Sequence, residues 1–303
     1  MDCFGAALGV CRIATLMHKP ACIVLSEDHP AIEEPLRQLR NTSGAPYSVI
    51  SAEQAREYCR TEEIFLIVVD CSRPSLVQAP ELLELASHIA VIDHHRRSED
   101  SIRPEIFYVE TYVSSASEMV AELLRYTAEK PELLPMEADG LFAGIVLDTK
   151  FFTVKCGVRT FEAAAFLRRQ GADSERVREL FKDDMEEYIA RGGIVSRARR
   201  INESVLLSSW VGSIPNAQAV AAQAADEMLD ISGIRASYVL TQIGETIYIS
   251  ARSLGNNNVQ LVMEELGGGG HMNVAGAQLP DITLEEAEQK LLEAMEAVGK
   301  RRA

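Results

Sequence analysis

An acid and two imidazoles stand in a row at Asp93-His94-His95, directly after the apolar run His88-Ile89-Ala90-Val91-Ile92. Such a run reads as a buried strand, and in α/β sheets ligands sit beyond the carboxyl ends of the strands. An isolated Asp-His-His could equally be a polar turn with a capping Asp. Three further acids fall at comparable places: Asp70 closes the apolar run Ile64–Val69, Asp148 closes a helical pattern from about Met136, and Asp2 opens the first helical pattern. Any of these acids alone reads as a cap or turn residue; together with Asp93-His94-His95 they read as a metal centre. Carboxylates mixed with imidazole suit Mn²⁺, Fe²⁺ or Mg²⁺ better than a thiolate zinc site. Two such ions about 3.5–4 Å apart clamp a phosphoryl group and acidify water at neutral pH.

The elements that must position these groups alternate between strand and helix. Strands are expected at Ala21–Leu25, Tyr47–Ile50 and Ile64–Val69, with helices at about Ile32–Arg40 and Ser51–Cys59 between them. That alternation predicts a doubly wound parallel sheet with helices on both faces. The small and apolar residues from Gly5 to Cys11 suit a helix packed closely on the sheet, with no strand ahead of it in the sequence. Ser115 and Glu118 have capping-box spacing at the start of a helix running to about Tyr126. Helices dominate from Arg159 to Arg200, where Met185–Arg200 reads as a polar connector. After it, Val205–Leu207, a helix over Ala217–Leu229, paired runs at Ala236–Ile243 and Thr246–Ala251 around a Gly244-Glu245 turn, a strand near Ala275–Leu279 and a helix over Leu284–Val298 predict a smaller α+β domain. The expected division is 1–190 and 191–303.

The totals are those of a soluble globular protein: 47% hydrophobic and 25% charged residues, with no apolar run of the ~18 residues a membrane span needs. Six cysteines without a Cys-x-x-Cys pair suggest reduced thiols and a cytoplasmic setting. A net charge of −15 argues against duplex nucleic acid as a partner. It leaves room for a phosphate substrate where metal ions reverse the local sign.

In the second domain, Gly267-Gly268-Gly269-Gly270 would let backbone approach a ligand with no Cβ in the way, and His271 follows it; a flexible loop is the plain alternative. Arg252, just past an apolar strand, is a candidate phosphate or base contact, or simply a surface Arg. Asn256-Asn257-Asn258 suits a turn and helix cap, and Trp210 suits a core position better than a stacking platform.

Asp2 followed by Gly5, Val69-Asp70, Asp93-His94-His95, Asp148-Thr149 and the later Gly-Gly-Gly-His stand in the order seen in DHH/DHHA1 phosphoesterases, and the resemblance covers nearly the whole chain. Val91–Arg97 and Tyr112–Glu118 resemble most the cyclic-di-AMP phosphodiesterase branch. The resemblance implies two-metal hydrolysis of cyclic di-AMP to linear pApA, with Asp70 bridging both ions and Asp2, His94 and Asp148 completing one site. It makes Asp93 a partner that orients an imidazole, sets His95 against the substrate phosphate, and makes Gly269, Gly270 and His271 part of a nucleotide-reading motif in a lid that closes a substrate cleft. Ser115, at a helix start, offers hydroxyl and N–H groups to an anion. The alternatives are a nanoRNA or pAp phosphatase of the same family, or a module that binds a nucleotide without cleaving it.

The family's first motif reads His-x-x-x-Asp-x-Asp, and only its last acid matches here, as Asp2. The expectation is therefore an N-terminally truncated catalytic unit that holds one ion poorly and the other weakly or not at all, and is itself of doubtful activity. Its parent would be a longer, membrane-anchored chain with this part in the cytoplasm. The family also suggests a homodimer.

Overall fold

The computed structural model describes residues 1–26, 32–42, 46–127, 131–182, 184–214 and 216–302. The chain divides into two units, Met1–Lys182 and Asp183–Ala303.

In the first unit the order is α1 (Asp2–Leu16), β1 (Cys22–Val24), α2 (Glu33–Asn41), β2 (Ser48–Ile50), α3 (Ala52–Thr61), β3 (Phe65–Val69), α4 (Leu82–Leu85), β4 (His88–Asp93), β5 (Ile106–Val109), α5 (Ala116–Thr127), α6 (Pro135–Asp148), α7 (Val158–Arg169) and α8 (Ser174–Glu179). All strand pairs here are parallel, as the alternation predicts, but they form two separate pieces, β1-β2 and β3-β4-β5. Strand β5 was not among the expected elements. Its sequence, Ile-Phe-Tyr-Val, is four residues long and lies among polar neighbours, too short for periodicity to single out.

Side chains alternate across the three-stranded piece. Val69 and Ile92 pack with α5, α6 and α7 on one face, while Val68 and Val91 pack with Ile102 on the other. Both faces are covered, which is why these strands read as continuous apolar runs. Pairing Val69 with Ile92 sets the end of β3 level with the end of β4, so Asp70 and Asp93 emerge at one edge.

The second unit contains α9 (Met185–Ser196), β6 (Arg199–Asn202), β7 (Val205–Trp210), α10 (Ala217–Met228), β8 (Ala236–Ile243), β9 (Thr246–Ser253), α11 (Val259–Glu265), β10 (Gly269–His271), β11 (Val274–Pro280) and α12 (Leu284–Arg302). Its sheet has the order β10-β11-β9-β8-β7-β6, antiparallel except for β7 and β8, which are parallel across the α10 crossover. Helices α9 and α10 pack on one face, α11 and α12 on the other.

The expected boundary at 190/191 moves to 182/183. Met185–Arg200 is no polar connector. Ala190 and Ile194 on α9 are buried against Leu206, Val220 and Ala224, so this helix belongs to the second core. Its outward face, with Met185, Tyr188 and Ile189 exposed beside charged residues, masked that stripe in the sequence. The Gly244-Glu245 hairpin, the Asn258 cap on α11 and the half-buried packing of Trp210 are as expected. No helix among the described residues is long and apolar enough to cross a membrane.

Candidate metal centre

The acids at the ends of four elements converge in the first unit. His94, directly after β4, is buried, and its Nε2 lies 3.2 Å from Asp148 Oδ2, 3.4 Å from Asp70 Oδ1 and 3.9 Å from Asp2 Oδ2. Two overlapping triads, Asp2–His94–Asp148 and Asp70–His94–His95, each bring three donor atoms within 4.8 Å of one another. Asp70 takes a left-handed backbone, with φ of 60°, which Asp tolerates better than most residues, while its N–H still donates to Ile92 O at 2.8 Å.

The electrostatics show how crowded these charges are. Asp2 is pushed up to about 7, by burial first and then by the Asp70 and Asp148 carboxylates, against the hydrogen bonds from Ser117. Burial pulls His94 down, but the surrounding carboxylates of Asp148, Asp70 and Asp2 outweigh it and raise it to about 10. Asp70 Oδ1 and His94 Nε2 are buried without a hydrogen-bond partner. Buried polar atoms in folded proteins are satisfied as a rule, and oxygen donors with one imidazole nitrogen are the ligand set of a hard or borderline divalent cation. The residues fit such an ion.

Asp93 and His95 form a second arrangement. Asp93 is fully buried, and its Oδ1 accepts from both the His95 backbone N (3.1 Å) and His95 Nδ1 (2.8 Å). Burial would raise Asp93, but the bonds from His95 and Ser72 overcome that and hold it at about 2. Asp93 in turn raises His95 above the usual imidazole range, against partial burial. Asp93 is thus placed against the His95 ring, the contact an orienting role needs. His95 Nδ1 also sits 3.7 Å from Asp70 Oδ1, and the His95 ring lies within the second triad.

The anion expected at Ser115 is supplied by the chain itself. Ser115 is fully buried, and its hydroxyl accepts from Glu118 N at 3.0 Å. The next two amides, Ala116 N and Ser117 N, donate to Asp2 Oδ2 and Oδ1 at 2.7 and 2.8 Å. The capping box is shifted by one residue, because the Glu118 carboxylate takes the backbone N and hydroxyl of Ser114 instead of Ser115 N. Ser115 thus positions the helix that holds Asp2 and has no exposed surface for substrate.

Gly144 on α6 escaped the sequence reading, although it repeats Gly140 at i+4 as Gly9 repeats Gly5 on α1. A Cβ there would meet Ser117 Oγ at 2.2 Å and Asp2 Oδ1 at 2.6 Å. Ala ordinarily stabilises a helix over Gly by about 0.5–1 kcal/mol. At this position, overpacking costing about 1–3 kcal/mol should win. Gly144→Ala is therefore expected to lower the urea midpoint and weaken Mn²⁺ binding together; an unchanged midpoint would show that Asp2 can move aside.

The remaining candidates lie in the second unit. Arg252 is mostly buried, with Nε on Asp226 Oδ2 of α10 at 3.2 Å and Nη1 on Ala251 O at 3.0 Å, so it is tied to that helix and its own strand and not free at the surface. The glycine run is not a flexible loop. Gly269, Gly270 and His271 form β10, pairing with Gly276, Ala275 and Val274. A Cβ on Gly268 would strike Gly276 O at 2.2 Å, so backbone contact within the sheet already requires glycine there. His271 is exposed.

The sequence of residues 1–145 matches the model of the DHH family, N-terminal domain, and residues 202–300 match the DHHA1 domain. The chain is 43% identical over 299 residues to the cyclic-di-AMP phosphodiesterase GdpP of Geobacillus thermodenitrificans, covering 97% of this chain and 45% of that protein. It is 38% identical over 304 residues to the cyclic-di-AMP phosphodiesterase PdeA of Listeria monocytogenes, covering 99% and 46%. The chain thus spans about half the length of these curated relatives. Among solved structures, an exopolyphosphatase-related protein from Bacteroides fragilis shares the fold, with a TM-score of 0.80 at 20% identity over 98% of this chain and 88% of that one.

Proposed function

The chain belongs to the DHH/DHHA1 family, and from that premise we propose that it is the catalytic part of a phosphodiesterase that opens cyclic di-AMP to linear pApA with two divalent ions, Mn²⁺ foremost. The observation that carries the chemistry is the convergence of Asp2, Asp70, His94 and Asp148 around donor atoms that have no partner of their own. Asp70 would touch both ions, and Asp2, His94 and Asp148 would hold one of them. Bound there, the ions would neutralise phosphoryl charge and lower the pKa of water.

The chain's own residues supply the rest. Asp93, ionised and fully buried, keeps a proton on His95 Nδ1 and fixes the ring, which leaves Nε2 of an exposed imidazole for a phosphate oxygen. As an imidazolium, His95 can donate that Nε2 proton to the departing ribose oxygen. The Asp2 carboxylate, tethered by the amides of α5, cannot swing away from His94, so the donor set is preorganised. In the second unit, His271, Gly269 and Gly270 are proposed to contact the nucleotide.

The test is product analysis with Mn²⁺ on cyclic di-AMP, pAp and a short oligoadenylate, carried out with the full-length protein beside this chain. Formation of pApA, with cyclic di-AMP the best substrate by kcat/KM, is the expected result. Turnover of pAp or oligoadenylate with cyclic di-AMP left intact would move the protein to the nanoRNA/pAp phosphatases. Binding of cyclic di-AMP without turnover would make it a sensing module.

A further inference from the structure

We propose that Thr149, with the left-handed turn it holds shut over residues 150–152, is the device that positions Asp148; the proposal rests on the reading of Asp148 as a metal ligand. Helix α6 ends at Asp148, and Lys150, Phe151 and Phe152 follow with φ of 45°, 57° and 61°. None is glycine. In that conformation Cβ crowds the following carbonyl, so L-residues adopt it singly and not in runs. Three in succession persist only where the surroundings over-determine them, and such strain gathers at functional sites.

The determinants converge on Thr149, which is fully buried. Its hydroxyl donates to Ile145 O at 2.6 Å and accepts from Phe152 N at 3.0 Å, joining the last turn of α6 to the far end of the strained turn. Its carbonyl accepts from Thr153 N and Val154 N at 2.9 and 3.0 Å, and Phe151 N donates to Val146 O at 2.8 Å. The turn delivers the Phe152 ring between Phe142 and Phe161, with centroids 5.9 and 5.8 Å away, and sets Phe151 edge-on to Phe181 at 5.8 Å. Helix α6 can neither continue nor unwind past Asp148. That carboxylate is therefore presented from a fixed helix end, with Oδ2 3.2 Å from His94 Nε2. Thr149 acts through Asp148 and is a positioning residue.

The measurement is Mn²⁺ affinity by calorimetry and by electron paramagnetic resonance of free Mn²⁺, alongside thermal unfolding in EDTA. Thr149→Val keeps the volume and removes the hydroxyl, and is expected to weaken Mn²⁺ binding about 10–100-fold, the usual effect of losing a group that orients a ligand. Thr149→Ser, which keeps the hydroxyl, should return affinity to the wild-type range. Should Thr149→Val fail to fold, Lys150→Val carries the same expectation. Its side chain is exposed, and a β-branched residue resists positive φ. A folded Thr149→Val or Lys150→Val protein with wild-type affinity, beside an Asp148→Asn protein that has lost it, would overturn the positioning role alone. Wild-type affinity in Asp148→Asn would overturn the ligand assignment, and the positioning role with it.

Discussion

Replacing His94 with alanine is expected to abolish the rise in Tm expected on adding Mn²⁺, and to lower the proposed Mn²⁺-dependent phosphodiester hydrolysis on the order of 10³-fold. His94 is the one residue common to both donor triads, so its loss dismantles both at once. The ions' charge stabilisation is worth several kcal/mol in such reactions, and each 1.36 kcal/mol is about tenfold in rate. The substitution also removes the cation lying between Asp2, Asp70 and Asp148, all within 3.9 Å of its Nε2. Removing one partner of a buried charge set costs about 3–5 kcal/mol, so the variant should also unfold earlier in EDTA. Scanning calorimetry with and without Mn²⁺ separates the two effects. A His94→Ala protein that Mn²⁺ still stabilises would exclude His94 as a ligand.

Asp2 should separate into two roles when alanine and asparagine are compared. Its carboxylate accepts from Ala116 N and Ser117 N, across 114 and 115 residues of sequence, and the same group faces His94. Asp2→Ala leaves both amides buried without an acceptor and is expected to cost about 2–4 kcal/mol. Asp2→Asn keeps an oxygen for one of the two amides, sets its NH2 against the other, and removes a charge that burial, Asp70 and Asp148 disfavour. Its urea midpoint in EDTA should fall between those of the wild type and Asp2→Ala. Both variants should lose Mn²⁺ affinity alike, because the amide oxygen is a weaker ligand than the carboxylate. If Asp2→Asn unfolds as readily as Asp2→Ala, the charge itself holds the start of α5, and the division of roles proposed here is wrong.

Much of this was legible from residue order. Asp70 and Asp93-His94-His95 follow apolar runs, and a run that ends in chemistry-bearing residues at a parallel-sheet edge marks both the strand and a candidate site from local information. The alternation of strands and helices established the parallel α/β class for the same reason, since buried parallel strands have to be apolar on both faces. Asp148 at a helix end and the hairpin at Gly244 were also visible as local signals.

The tertiary structure decided which groups were already spent. Ser115 looked free for an anion, but Asp2 fills the amides beside it. Arg252 looked exposed, but Asp226 holds it. The glycine run read as a backbone approach to a ligand, with a loop as the alternative, but Gly269 and Gly270 pair with β11 as a strand. Met185–Arg200 looked like a connector until Ala190 and Ile194 met a core assembled from later segments. Residue type and spacing report which donors and acceptors a segment carries. Whether a given one is free depends on partners on other elements, and those are brought into contact only when the core packs.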